Sequence, residues 1–209
     1  MNIASAQVQI ADFQCLWSLT ESGSEGPEGE RTLKLAYQIE ARSELYVADR
    51  LWRFDASRSV IPDPRGVYRY VRDDSLRLVF DTSPMPPNTS VRVTYAPLYS
   101  RVLPGKVHAR ELTLTVPVEE YSSAPYDSTA PTVIERVARV VLVMAYRLRA
   151  TMDRDPAPPI GESEGVGFVV ANPSRFISSV AVSPLAVRCR TVPFARYALP
   201  GDAPPPSAL

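Results

Sequence analysis

The chain has 209 residues, of which 45% are hydrophobic and 22% charged, so it can bury a core and is not wholly disordered. Its 23 basic and 23 acidic residues cancel, and no basic stripe of the kind that binds nucleic acid is present. The 21 prolines against 9 glycines favour short extended segments joined by turns over long helices.

The first residues contain neither the basic nor the apolar segment of a secretory signal. The longest apolar run, residues 140–146, is far shorter than the roughly 20 residues that span a bilayer. The two cysteines, Cys15 and Cys189, are too few for a disulfide framework, and we expect both to be reduced. These features predict a soluble, cytoplasmic protein with no membrane span.

Residues 7–19 alternate between apolar and polar side chains, as a half-buried strand does, but the phase changes within the segment. The apolar positions are even-numbered up to Ile10 and odd-numbered from Phe13 onwards. A continuous strand must therefore bulge or kink near Ala11 and Asp12, because its apolar side chains would otherwise change faces.

Residues 33–41 show the same alternation without interruption and predict a strand with one buried face. The pattern recurs in four later segments, which are residues 76–80, 91–95, 112–118 and 185–189. The sequence Arg-Asp-Asp-Ser at 72–75 predicts a tight hairpin connection between residues 67–71 and residues 76–80.

Residues 51–54 place Trp52 and Phe54 on one face of an extended segment and Arg53 on the other. Two large aromatic side chains on one face are typical of a core strand. The same residue types are also enriched at protein–protein interfaces. Both interpretations stay open for this segment.

Residues 104–118 hold the only histidine of the chain, His108, and one of its two lysines, Lys106. The lysine follows a glycine, but the rest of a phosphate-binding loop is missing. The apolar positions before Arg110 are out of phase with those that follow Glu111. We expect a bulge here that turns His108 and Arg110 outwards, which makes His108 a surface residue rather than a catalyst.

Residues 132–150 lack glycine and proline, and their apolar positions fit a helix as well as a strand. The density of β-branched side chains favours a strand over 138–149 that is buried on both faces. If this segment is helical, it is the only substantial helix.

Together these segments predict an all-β protein built as an antiparallel two-sheet β-sandwich, immunoglobulin-like only in the broad sense of its architecture, with Pro-rich loops. We expect a single domain over residues 1–198 with a long loop at 153–165. Residues 199–209 form a Pro-rich tail without a core-forming pattern.

The sequence offers no clear chemistry. One histidine and two separated cysteines cannot form a zinc cluster, and no calcium, dinucleotide or nucleophile motif is present. Both cysteines are in phase with apolar neighbours and are expected to be inert core thiols. We therefore predict no cofactor, no metal and no catalytic residue.

The function predicted from these observations is that of a non-catalytic assembly, accessory or scaffold subunit, which contacts a protein partner or self-associates. The candidate interface residues are aromatic or arginine side chains near Pro-rich segments: Trp52, Arg53, Phe54, Tyr95, Tyr99, Tyr121 and Tyr126. The alternative is a sandwich that binds a carbohydrate or another small ligand, or a glycoside-type enzyme that uses two carboxylates.

Overall fold

The computed structural model describes residues 2–23, 31–57, 59–82, 97–121, 132–152, 160–163, 167–170 and 173–190. Within them the chain is nearly all β-structure, with one short helix, which confirms the predicted class. No helix in this described part is long and apolar enough to cross a membrane.

The elements in chain order are β1 (Asn2–Ile10), β2 (Phe13–Ser22), β3 (Arg31–Ala41), β4 (Leu45–Arg50), β5 (Trp52–Phe54), β6 (Val60–Pro62), β7 (Tyr68–Arg72), β8 (Ser75–Phe80), β9 (Leu98–Val102), β10 (Val107–Val116), β11 (Val118–Glu119), β12 (Thr132–Leu148), α1 (Arg149–Met152), β13 (Ile160–Ser163), β14 (Gly167–Val170) and β15 (Ser174–Arg190). The strand β13 lies inside the segment that was expected to be a long loop.

A four-stranded antiparallel sheet has the order β1-β2-β3-β10. The predicted bulge at the N-terminal phase change is absent. The phase change comes from a hairpin instead, because Ala11 and Asp12 form a turn and Ile10 pairs with Phe13. Alternate side chains of β2 and β3 are buried, as the period of two predicts.

The register of β10 on β3 is continuous from Val107 to Val116, so the bulge expected near Arg110 is absent. His108 and Arg110 therefore share a face with Leu114, which is buried in the core. The expectation that both polar side chains turn outwards was wrong. A buried carboxylate, described below, makes the inward orientation favourable.

A second sheet of nine strands follows the path β11-β15-β12-β4-β9-β14-β13, and β8 and β7 branch from β12. The strand β12 covers the ambiguous segment and confirms the strand interpretation, with Val140–Ala145 buried on both faces. It pairs in parallel with β8, and β11 pairs in parallel with β15, so this sheet is mixed rather than purely antiparallel.

The hairpin between β7 and β8 is confirmed. Arg72 pairs with Ser75, and the two turn residues Asp73 and Asp74 have φ values of 51° and 55°. A two-residue turn with both residues in the left-handed region matches the twist of antiparallel strands, and aspartate tolerates that conformation.

One cluster of buried side chains joins the two sheets. The ring of Phe13 in β2 lies 4.9 Å from that of Tyr146 in β12 and 5.8 Å from that of Phe176 in β15, measured between centroids. Trp17 Nε1 donates a hydrogen bond of 2.9 Å to the Ser178 hydroxyl across the same junction. Residues from both sheets therefore form one continuous core.

Both cysteines lie in this cluster as predicted. Burial raises the pKa of Cys15 to about 12 and is also the main cause that raises the pKa of Cys189 to about 12. A thiol that stays protonated at neutral pH is a poor nucleophile, so neither cysteine is reactive.

Candidate functional site

The candidate interface residues do not form one surface. Tyr99 has 1% of its surface exposed and lies in the core, so it is withdrawn as a contact residue. Trp52 is half-buried and pairs with Pro62 in a small two-stranded sheet, whereas Arg53 is exposed. The side chain of Phe54, and Tyr95 and Tyr126 altogether, lie outside the described residues.

Tyr121 is half-buried, and its hydroxyl donates a 2.6 Å hydrogen bond to Oδ2 of Asp63. Trp52 pairs with Pro62, the residue before Asp63. The candidates Trp52 and Tyr121 are therefore both joined to the same short segment, residues 62–63. Tyr121 anchors this segment and does not project from the surface.

The edge strand β1 is the first candidate for a contact with another chain. Among the described residues, only β2 pairs with it, and its second edge carries no strand. The sequence Asn-Ile-Ala-Ser-Ala-Gln-Val-Gln-Ile contains no charged residue, proline or glycine. Natural edge strands are usually protected by lysine, proline or a bulge, because an open edge can pair with another chain.

The backbone groups at this open edge follow from the register. Ile10 and Phe13 flank the two-residue turn and exchange hydrogen bonds, so the even-numbered residues of β1 bond to β2. The odd-numbered residues direct their N–H and C=O groups to the open edge. These residues are Ile3, Ser5, Gln7 and Gln9.

The outer face of the four-stranded sheet carries few charged side chains. Across the strands, Gln7 aligns with Leu16, then with Gln38 and Ala109. A shallow groove of about 580 Å³ crosses the face here. Among the described outward positions the charged side chains are Lys34, Glu40 and Glu111, and the Nζ of Lys34 lies 2.8 Å from Glu111 Oε1.

A buried carboxylate links the opposite edge of this sheet to the second sheet. The side chain of Asp49 in β4 is fully buried. Its Oδ2 accepts from the Ser100 hydroxyl at 2.8 Å, lies 3.0 Å from His108 Nε2 and accepts from Arg110 Nε at 3.2 Å. Its Oδ1 accepts from Arg50 Nε at 3.2 Å.

The charge of Asp49 is stabilised despite this burial. Burial alone raises the pKa of the carboxyl group, but hydrogen bonds from His108 and Ser100 and the charge of Arg50 outweigh it. The pKa of Asp49 is therefore lowered, and the group is ionised at neutral pH. The cluster holds β10 against β4 by charge-assisted hydrogen bonds.

A second buried carboxylate, Asp63, lies in the turn after β6. Its two oxygens accept a bidentate pair of 3.0 Å hydrogen bonds from Arg65, and the Arg65 guanidinium lies 3.9 Å from the centre of the Tyr121 ring. Burial raises the pKa of Asp63, but hydrogen bonds from Arg65 and Tyr121 lower it below its usual value. A third buried carboxylate, Asp81, pairs with Arg175.

Between Asp49 and Asp63 lies a cavity of about 160 Å³. Its wall includes Gly66, which has a φ of 73° and closely approaches Leu112 of β10. The positive φ of Gly66 is one that residues with a side chain rarely adopt, and a Cβ there would lie 2.6 Å from Leu112 Cδ1, so the leucine would have to shift. The cavity is thus bounded by the 63–66 turn on one side and by β10 on the other.

Among the described residues, no group of three or more histidine, cysteine, aspartate or glutamate side chains is arranged to hold a metal ion. The three buried carboxylates are each occupied by arginine instead. Comparison of the chain with protein-family models, with curated proteins and with solved structures finds no match.

Proposed function

We propose that the protein is a non-catalytic assembly subunit that joins its partner by adding a strand to the open edge of β1. The observation that carries this proposal is the composition of β1, an open nine-residue edge strand without charge, proline or glycine. Such an edge offers regularly spaced donors and acceptors to another strand, and main-chain hydrogen bonds then supply affinity. A cytoplasmic location remains part of this proposal.

The proposal includes a two-sheet, sandwich-like arrangement of the fold. It is supported by the core cluster, which combines the inner faces of both sheets, and by the contact of β1 with β15 without a ladder between them. In that arrangement β15 approaches β1 from the other sheet, but the β1 edge has no main-chain ladder partner besides β2 among the described residues.

A second copy of the chain is the partner that suits β1 best. If two β1 strands pair antiparallel about a two-fold axis at Ala6, Ile3 bonds to the partner's Gln9 and Ser5 bonds to the partner's Gln7. These are the odd-numbered residues whose backbone groups face the open edge. Because β1 carries no charge, the pairing brings no like charges together.

The pairing would also extend both faces of the four-stranded sheet. The four-stranded sheets of two copies would become one eight-stranded antiparallel sheet, and Ala4, Ala6 and Val8 would continue the apolar inner face across the junction. The other edge of the sheet, β10, carries His108, Arg110 and Glu111 and is less suited to such pairing.

The test is the native mass of the chain, measured by light scattering after size-exclusion chromatography. We expect a dimer, with twice the chain mass of 23.0 kDa. The double variant Ser5→Lys/Gln7→Lys places lysines directly opposite each other across the two-fold axis, so it should be monomeric. The matched control Thr113→Lys/Thr115→Lys places the same charges on the outer face of β10 and should remain dimeric.

Two outcomes would contradict this proposal. A wild-type chain that is monomeric at micromolar concentration and above shows that the β1 edge does not pair with a second copy. Equal dissociation of the β1 and β10 lysine variants shows that the outer face, rather than the β1 edge, makes the contact.

The alternative of a two-carboxylate glycosidase has less support. Asp49 and Asp63 line the same cavity, but the pKa of each is lowered, so neither supplies the protonated acid that cleavage of a glycosidic bond needs. Their oxygens are also occupied by hydrogen-bond donors. Among the described residues, the tryptophans and tyrosines are buried or half-buried, so they form no exposed aromatic platform for a sugar.

A further inference from the structure

The cavity between Asp49 and Asp63 contains hydrogen-bond donors without acceptors. Tyr37 in β3 is 4% exposed, lines the cavity, and its hydroxyl is buried without a hydrogen-bond partner among the described residues. A buried hydroxyl without a partner is unfavourable in a folded protein and points to an occupant that accepts its hydrogen bond.

Arg110 supplies the second set of donors. It bonds to Asp49 through Nε only, and its terminal amino groups make no hydrogen bond to the described residues. The side chain is 44% exposed, so the cavity opens to solvent beside it. Tyr37, Asp49, Arg50 and Arg110 all line this cavity.

The acceptors of the cavity are already in use. Both oxygens of Asp49 and both oxygens of Asp63 accept hydrogen bonds from protein groups. The third carboxylate of the lining, Glu111, pairs with Lys34, whose Nζ lies 2.8 Å from Glu111 Oε1. The donors left over are therefore the Tyr37 hydroxyl and the terminal amino groups of Arg110. A guanidinium with free amino groups favours an occupant with a carboxylate acceptor.

The remaining walls are apolar. They are formed by Leu51, Pro62, Phe80 and Leu112. A cavity of about 160 Å³ is close to the roughly 150 Å³ of an engineered apolar cavity that holds one benzene molecule. The space therefore matches a single small ring or a short alkyl chain.

We propose that the cavity lined by Tyr37, Arg110 and Phe80 binds a small carboxylate with an apolar body of about the size of benzene. The carboxylate accepts hydrogen bonds from the Tyr37 hydroxyl and the terminal amino groups of Arg110, and the apolar body packs on Phe80 and Leu112. The site is separate from the β1 edge and does not depend on self-association.

The experiment is a titration of the full chain with benzoate, followed by the chemical shifts of backbone amides around the cavity. We expect saturable binding, with shifts in β3, β10 and the 63–66 turn. Benzamide, a neutral molecule of the same shape, should bind at least about 10-fold more weakly because it lacks the charge that Arg110 recognises. Hexanoate tests whether a chain replaces the ring.

Tyr37→Phe is the decisive variant. It removes a hydroxyl that has no described partner, so the free protein should keep its stability, while its affinity for benzoate falls about 10-fold because a hydrogen bond to a charged group is lost. Tyr70→Phe is the matched control, since Tyr70 is fully buried and does not line the cavity. It should bind benzoate as the wild type does.

Three results would overturn the proposal. The first is the absence of saturable binding of benzoate and hexanoate, which means that the cavity holds water only. The second is an equal affinity of Tyr37→Phe and wild type for benzoate. The third is equal binding of benzamide and benzoate, which removes the role of charge. None of these results bears on the native mass, so failure here is distinct from failure of the assembly proposal.

Discussion

The two edge strands of the four-stranded sheet differ in what holds them and in what they expose. β10 carries charged side chains, and His108 and Arg110 tie it to the buried Asp49 of the other sheet. β1 has no charged side chain and is held by the packing of Ala4, Ala6, Val8 and Ile10 on the core. One edge is thus tied to the other sheet by charged side chains, whereas the other has no ladder partner besides β2 among the described residues.

The two edges of this sheet therefore differ in what determines their position. At one edge a buried charge cluster ties β10 to β4, because His108 and Arg110 both contact the Asp49 carboxylate. The strand β1 needs no charge cluster of this kind, since the hairpin with β2 sets its register.

The largest effect that separates the two edges is expected from Asp49→Asn. The variant leaves Arg50, Arg110 and His108 without their carboxylate, and we expect a loss of about 2–3 kcal/mol in the free energy of unfolding. This is less than for a fully buried pair because Arg110 is half exposed. Urea denaturation measures the change.

Glu44→Gln is the matched control for Asp49→Asn. Glu44 pairs with the exposed side chain of Arg101, and the pair is worth less than about 1 kcal/mol. If both variants lose the same stability, the Asp49 cluster does not hold the β10 edge.

The next largest effect is expected in the free energy of unfolding at acidic pH. Asp49 and Asp63 both have a pKa lowered by folding, so each stabilises the fold above the unfolded value of about 3.9 and loses that contribution as the pH falls through the lower folded value. We expect the free energy of unfolding to decrease below about pH 4. Asp49→Asn should flatten this slope, and Asp63 should supply part of what remains. Urea denaturation at a series of pH values tests this, and an unchanged slope in Asp49→Asn contradicts it.

The sequence predicted the strands well wherever burial repeats every two residues. Leu35, Tyr37 and Ile39 are buried in β3 as expected, and the β-branched run of β12 is a strand. The nine-stranded sheet could not be predicted, because β12 bonds to β8 and to β4 along the same edge, and such pairings depend on segments far apart in the chain.

The cluster of His108 and Arg110 around Asp49 could not be predicted from the sequence, for a physical reason. The phase of β10 placed His108 and Arg110 inwards, but an unpaired charge in a core is costly, so a bulge was the expected solution. The actual solution is Asp49, which lies far away in the sequence and carries no local signal. At the N-terminus the error was of another kind, because a two-residue turn and a bulge change the phase of a strand in the same way.

The most direct test of the account is an Ala6→Cys variant under mild oxidation. In the two-fold pairing the two Ala6 residues face each other as a non-hydrogen-bonded pair, whose Cα separation of about 4.5 Å suits a disulfide. The native cysteines are buried and do not compete. The account predicts nearly complete cross-linking to a dimer for Ala6→Cys and little for Ser18→Cys on the neighbouring strand. Absent or equal cross-linking of the two variants contradicts the assignment of β1 as the assembly edge.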